Sequence, residues 1–302
     1  MLWIFSVIRE ISPGFLMSEH NSNSTIVWLN GAIKSADSAR ISPFDHGLLT
    51  GDGVFETLKS YRGRPFELER HHARMRRGGE LLGLEVPSLD ELKTAIGEVL
   101  SANKIEKADC RIRITVTGGV APLGSDKGDS GPTTLIAISG LPAHPAEGQA
   151  ITVPYCRNEL GALAGFKTTS YGENVVALAA AKKADAHEAI FPNTKGNLCE
   201  GTGSNIFVVY GGQLITPPLS SGCLAGVTRA VVIEICEKAG ISVAEIDTPI
   251  QQLLEADEIF LTGTLREVMP VSRVDEIDFA CPGPISERIR AAFQRHVADF
   301  AG

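Results

Sequence analysis

One lysine constrains this chain more than any other residue. Lys167 stands in a stretch of small and hydroxyl residues at positions 165–174, and an apolar segment at 175–181 follows. That segment predicts a helix beginning directly after the lysine loop. A lysine in such surroundings can lose its charge and act as a nucleophile or form a Schiff base. The chain is therefore expected to carry chemistry at Lys167.

Downstream motifs supply what an aldehyde-binding lysine needs. A pyridoxal-type cofactor requires a carboxylate facing its ring nitrogen and a cradle for its phosphate. Glu200 opens the run Glu-Gly-Thr-Gly-Ser-Asn, and Thr228 stands at the start of a predicted helix. Free N–H groups and the helix dipole favour a phosphate at such a helix end. Neither GxxxxGK[ST] nor GxGxxG occurs, so the predicted phosphate site is of another kind.

Taken together, the motifs resemble one family. Lys167, the run at 200–205, Gly-Val-Thr-Arg at 226–229 and Thr-Gly-Thr at 262–264 resemble the class IV aminotransferases, over about residues 27–274. This family comprises branched-chain aminotransferases, D-amino-acid aminotransferases and aminodeoxychorismate lyases. The resemblance implies an α/β (α+β) fold-type-IV enzyme with pyridoxal 5'-phosphate (PLP) as cofactor. It implies a small N-terminal α/β domain and a larger C-terminal domain with a β-barrel-like core flanked by helices.

The resemblance also implies roles for individual residues. Lys167 would bond to the cofactor aldehyde and move the proton at the substrate Cα, and Glu200 would face the pyridine nitrogen. Arg74 would bind the phosphate, for which its fixed guanidinium fork is suited. The other implied cofactor contacts are Tyr171, Ser204, Asn205, Val227, Thr228, Gly263 and Thr264. The family's usual homodimer, with the site completed by the partner subunit, is expected as well.

Substrate residues are expected on two strands. Residues 110–117 alternate strictly, which places Arg113 on the polar face, and the resemblance assigns it to a substrate carboxylate. Phe55 and Thr57, in the motif at 45–59, are the other candidates, with Thr57 assisting proton transfer. The expected substrate is a small amino-acid-like carboxylate.

The substrate residues favour one member of the family. Aminodeoxychorismate lyases carry threonine at Thr57, whereas branched-chain enzymes carry glycine there and tyrosine at Thr50. The Arg-x-His pair of D-amino-acid aminotransferases is missing from residues 121–125. The prediction is a 4-amino-4-deoxychorismate lyase. A transaminase acting on D-amino or other small amino acids is the alternative, and a non-catalytic PLP-binding or structural protein is the third.

Composition excludes several classes. The net charge of -8, without a basic run, argues against nucleic acid. No apolar stretch approaches the roughly 20 residues of a membrane span. None of the six cysteines forms a CxxC pair, so reduced thiols in the cytoplasm and no metal site are expected.

Domain boundaries follow from changes in pattern. Residues 1–25 are expected to be a poorly ordered extension, with Met1 or Met17 as the start. Residues 26–140 form the predicted small domain, 141–149 a proline-containing linker, and 150–302 the large domain. A short strand is predicted at Phe66 and Leu68, ahead of a helix that ends near Leu82.

Overall fold

The computed structural model describes residues 25–302. The predicted extension up to residue 24 and the alternative start at Met17 lie outside this range. In the described part, no helix is both long and apolar enough to cross a membrane. The same residues contain two sheets with helices packed on them, which is a mixed α+β architecture.

The N-terminal sheet has six antiparallel strands in the order β2-β1-β6-β5-β3-β4. Its strands are β1 (Ile26–Leu29), β2 (Ala32–Ser35), β3 (Gly53–Tyr61), β4 (Arg64–Pro65), β5 (Cys110–Thr117) and β6 (Thr133–Ser139). The predicted alternation of β5 is confirmed, because Ile112, Ile114 and Val116 are buried in the core. Arg113 therefore lies on the opposite face, together with Phe55 and Thr57 of β3.

The second sheet is mixed and forms the curled, barrel-like core. Its order is β12-β11-β10-β13-β14-β7-β8-β9, and β15 pairs with β14. The strands are β7 (Gly148–Thr152), β8 (Glu188–Pro192), β9 (Leu198–Gly201), β10 (Asn205–Tyr210), β11 (Gln213–Thr216), β12 (Val243–Glu245), β13 (Glu258–Gly263), β14 (Glu267–Val274) and β15 (Ile277–Asp278). The two sheets thus occupy residues 26–139 and 148–278, and the division into two domains stays a prediction.

Six α-helices flank the sheets in the described residues. They are α1 (His46–Leu49), α2 (Leu68–Leu82), α3 (Leu89–Ala102), α4 (Gly172–Lys183), α5 (Val227–Lys238) and α6 (Pro284–Ala301). Helices α2 and α3 cover the apolar face of the N-terminal sheet, whereas α5 and α6 pack on the second sheet. The polar face of β3 and β5 is left uncovered by α2 and α3, and the lysine loop lies against the start of β3.

The predicted strand at Phe66 and Leu68 is wrong. The strand is Arg64–Pro65, and α2 begins at Leu68. Glu67 adopts a left-handed conformation with φ 52°, which ends the extended chain before the helix. Phe66 is buried edge-on against Phe293 and Phe300 of α6, so its apolar character reflects packing against that helix.

Candidate active site

The lysine loop is fixed to the first residues of β3. The Phe55 N–H donates to the Lys167 carbonyl at 3.0 Å, and the Thr169 N–H donates to the Gly53 carbonyl at 2.8 Å. These bonds extend the N-terminal sheet across to the segment between β7 and α4. Because they involve the backbone, they fix where the lysine side chain leaves the chain.

Lys167 is surrounded by aromatic rings and other cations. Its Nζ lies 4.3 Å from the centroid of the Phe55 ring and 5.4 Å from that of Tyr171. Burial lowers the pKa of Lys167 to about 8, and the positive charges of Arg74 and Arg113 lower it further, against nearby carboxylates. A substantial share of the amine is therefore neutral near pH 8, as a nucleophile or base requires.

Glu200 lies on β9, in a strand. Its Oε1 accepts from Arg157 Nε at 3.0 Å, and its Oε2 accepts from the Leu224 N–H at 2.9 Å. Burial raises the pKa of Glu200, and Arg157 is the largest opposing influence. A carboxylate held in this way can accept a hydrogen bond from a protonated ring nitrogen.

Arg157 is a functional residue that the sequence did not reveal. Its guanidinium lies 4.1 Å from the Phe191 ring centroid, and Nη1 donates to Asn174 at 3.1 Å. These contacts fix the guanidinium against Glu200. No motif surrounds Arg157 in the sequence, and its partners come from α4, β8 and β9, so only the fold brings them together.

Arg74 belongs to a buried network on the inner side of β3. Nε and Nη2 each donate to Glu56 at 2.7 Å, and Glu56 also contacts His71 Nδ1 at 2.7 Å. Burial acts to raise the Glu56 pKa, but Arg74 and His71 hold it well below its ordinary value. Burial lowers the pKa of His71. A signal was present, because a glutamate among the buried residues of β3 requires a cationic partner.

The same arginine connects this network to the start of α5. Nη1 donates to the Ala225 carbonyl at 2.9 Å, immediately before Gly226. Gly226 is the N-cap and no side chain caps the helix, so Val227 and Thr228 begin α5 near the guanidinium of Arg74. A Cβ at Gly226 would lie 1.9 Å from Asn205 Oδ1, which explains why this position is glycine.

Two loops meet beside this helix end. A Cβ on Gly263 would lie 3.1 Å from the Gly203 carbonyl, so the segment leading to Thr264 packs closely on the loop that contains Ser204. Glu188 connects the two loops from below: Oε2 accepts from Ser204 Oγ at 2.8 Å and lies 3.0 Å from Arg266 Nη1. This buried carboxylate is the second connection that the sequence did not reveal.

The predicted substrate residues lie on the other side of Lys167. Thr57 and Arg113 are directly opposed on β3 and β5. The Arg113 guanidinium carbon lies 3.3 Å from the Phe55 centroid, and its Nε donates to Thr115 Oγ1 at 3.2 Å. Burial lowers the pKa of Arg113 to about 10, and this group remains charged at neutral pH.

Tyr171 closes the aromatic side of the site. Its ring packs edge-on against Phe55 with centroids 5.2 Å apart, and its hydroxyl donates to the Thr202 carbonyl at 3.1 Å. Burial raises the pKa of Tyr171 to about 12, so it stays protonated at neutral pH. Phe55 therefore contacts Lys167, Arg113 and Tyr171, and brings both sides of the site together.

Comparison with known proteins identifies the family. The model for class IV amino-transferases matches residues 53–274. A putative branched-chain-amino-acid aminotransferase of Methanocaldococcus jannaschii is 37% identical over 276 residues, covering 89% of this chain and 95% of that protein. Aminodeoxychorismate lyase of Bacillus subtilis is 30% identical over 284 residues, covering 91% and 96%. This chain belongs to the class IV aminotransferase family.

A solved class IV structure provides the link to the cofactor. The branched-chain amino acid aminotransferase of the organism abbreviated T.th., complexed with N-(5'-phosphopyridoxyl)-L-glutamate, matches with a TM-score of 0.84 and 29% identity. The match covers 91% of this chain and 95% of that one. The chain is a PLP-dependent enzyme with the fold-type-IV architecture, as predicted.

The residues present in this class IV enzyme fit PLP. The α5 N-terminus lacks a side-chain cap, and Thr228 there is buried. Lys167 has a lowered pKa, and Glu200 is a buried carboxylate already held by two donors. The structure thus brings the predicted cofactor residues around one position, while their individual roles stay predictions. Among residues 25–302, no cluster of three metal-ligating side chains was found.

Proposed function

We propose that this enzyme is a 4-amino-4-deoxychorismate lyase, which releases pyruvate and leaves 4-aminobenzoate. The observation that carries the proposal is the opposition of Thr57 and Arg113 across β3 and β5, beside Lys167. Threonine at position 57 is the residue that the lyases of this family carry. The similarity to the Bacillus subtilis lyase supports the same activity.

Each step of this reaction has a candidate residue. PLP, when bound, supplies an electron-withdrawing ring that stabilises negative charge at the substrate carbon bearing nitrogen. Lys167, with its lowered pKa, takes the proton from that carbon. Glu200, kept ionised by Arg157, holds the proton on the pyridine nitrogen.

The remaining residues act on the leaving group. Arg113 binds a substrate carboxylate and orients the enolpyruvyl group, and the Thr57 hydroxyl lies opposite to assist proton transfer to it. The C–O bond to the enolpyruvyl group breaks, the enol gains a proton as pyruvate, and the ring becomes aromatic. No acceptor acid is consumed, which distinguishes this reaction from transamination.

Transamination is the second candidate, because a specific comparison favours it. The Methanocaldococcus jannaschii relative, at 37% identity, is named as a putative branched-chain-amino-acid aminotransferase. The same Lys167 and Glu200 would serve both reactions, so the face formed by β3 and β5 decides between them. Under this alternative the enzyme moves an amino group from a D-amino acid or another small amino acid to a 2-oxo acid.

We infer that the enzyme works as a homodimer in the cytoplasm. Large apolar side chains are exposed near the site, including Leu48 at 71%, Leu160 at 85% and Val175 at 64%, which is consistent with a covered surface. The six cysteines are free, as a reducing compartment requires. Analytical ultracentrifugation should give about twice the 32.2 kDa chain mass; a monomer would contradict the dimer.

The test of the lyase is pyruvate release from aminodeoxychorismate by the PLP-loaded protein without a 2-oxo acid. Sustained turnover is expected from the wild type, slower turnover from Thr57→Val, and recovery in Thr57→Ser. Lys167→Ala serves as the inactive control. No release by the wild type, combined with amino transfer from D-alanine to 2-oxoglutarate, would replace the lyase with the transaminase.

A further inference from the structure

Two arginines on the polar face of the N-terminal sheet have no acidic partner. Arg111 and Arg113 are half-buried, and neither forms an ion pair with a carboxylate in residues 25–302. Every other arginine of this part of the chain that is not exposed has a carboxylate oxygen within 3.0 Å. These are Arg70, Arg74, Arg157, Arg229, Arg266 and Arg290.

The sheet holds both guanidiniums in the same manner. Arg111 Nε donates to Ser139 Oγ at 2.8 Å, and Arg113 Nε donates to Thr115 Oγ1 at 3.2 Å. Each bond uses only Nε, so the terminal Nη groups of both side chains stay available to another acceptor. A guanidinium with its Nη groups available is suited to a carboxylate.

A third cation on this face is already neutralised. Lys59, which is opposite Arg111 in the register, lies 2.6 Å from Glu267 Oε1. The excess positive charge of the face therefore belongs to Arg111 and Arg113. The charge of Arg111 lowers the pKa of Arg113, after the larger effect of burial, so the two guanidiniums repel each other. An arriving pair of anionic groups would relieve this repulsion.

We propose that Arg111 and Arg113 form a two-point anion site that selects substrates with two carboxylates. Arg113, which shares Phe55 with Lys167, holds the carboxylate nearer the reacting carbon, and Arg111 holds the distal one. Residues two apart on one strand face are about 6–7 Å apart, which matches a dicarboxylate of four or five carbons or a ring with two carboxylates. The site deepens the proposed function and rests on it for the identity of the natural substrate.

Glutarate and pentanoate are the probes, because they have the same carbon count and differ by one carboxylate. Their dissociation constants are measured by calorimetry on PLP-loaded wild type, Arg111→Gln, Arg111→Lys and Arg113→Gln. The control is Arg77→Gln, which removes the same charge at an exposed position of α2. Unchanged absorbance of bound PLP and unchanged circular dichroism show that each variant is folded.

Arg111→Gln should weaken glutarate binding about tenfold and leave pentanoate within twofold, as expected for one charge-assisted contact. Arg111→Lys should recover part of the loss, Arg113→Gln should weaken both ligands, and Arg77→Gln neither. Equal weakening of both ligands by Arg111→Gln, or no weakening, would overturn the proposal. Because no turnover is measured, a failed pyruvate assay would reject the lyase without affecting this result.

Discussion

The two sides of the active site treat charge in opposite ways. On the side of the second sheet, Glu200 is paired with Arg157, and Glu188 with Arg266. On the polar face of β3 and β5, Arg113 has no carboxylate partner within the described residues. A group that is always present can be met by a fully satisfied, rigid site, whereas an exchanging ligand must complete the pairing itself. The contrast indicates a fixed cofactor on one side and an anionic substrate on the other.

Removing Lys167 should have the largest effect. Lys167→Ala deletes both the covalent attachment and the base at the substrate carbon, and turnover should fall at least about 10³-fold, the scale of a positioned general base. Pyruvate release and borohydride trapping of the cofactor measure the two losses. Lys183→Ala, an exposed lysine at the end of α4, is the control and should behave as the wild type.

Breaking the Glu56–Arg74 pair tests the paired side through stability. Glu56→Gln leaves a buried guanidinium without its countercharge, and the free energy of unfolding should fall by about 3–5 kcal/mol. The Glu56 pKa is lowered in the folded protein, so its stabilising contribution exists at neutral pH and is lost as the pH falls. Acid should therefore destabilise the wild type more than the variant.

Urea unfolding at pH 7 and pH 4 measures this difference. Glu80→Gln is the control, because Glu80 faces Arg76 at the surface with both side chains 64% exposed. A surface pair contributes roughly 0–1 kcal/mol, so little change is expected there. Equal losses in the two variants would refute the special role of the buried pair.

Arg157→Gln should affect catalysis through Glu200. Burial already raises the Glu200 pKa, and without Arg157 it should rise further, so the carboxylate protonates at higher pH. We expect kcat to fall about 10–100-fold, with the acidic limb of its pH profile shifted upward. Arg157→Lys should shift that limb less. A uniform loss of rate without a change in the profile would mean that Arg157 acts only structurally.

The smallest effect concerns pH alone. With its pKa lowered to about 8, Lys167 of the PLP-free protein is mostly protonated below that pH. The rate of PLP capture, followed by stopped-flow absorbance, should rise about tenfold per pH unit below pH 8 and level off above it. A midpoint near the ordinary lysine value of 10.5 would contradict the influence of burial and of the neighbouring arginines.

The sequence predicted the family, the fold class and the position of β5, because alternation and local motifs are encoded over short distances. It did not reveal Arg157 or Glu188, whose partners are assembled from separate strands and loops. Glu56 could have been inferred, since a carboxylate among the buried residues of a strand needs a cation. The pairing state of Arg113 is visible only in the structure.

Two dissociation constants measured on two variants test the division between the sides most directly. Thr228→Val removes a hydroxyl at the start of α5, and Arg113→Gln removes a charge on the substrate side. Thr228→Val should raise the PLP dissociation constant about tenfold and leave glutarate binding to the PLP-saturated protein within twofold. Arg113→Gln should do the reverse. If Arg113→Gln weakened PLP as much as glutarate, the separation of a cofactor side from a substrate side would be wrong.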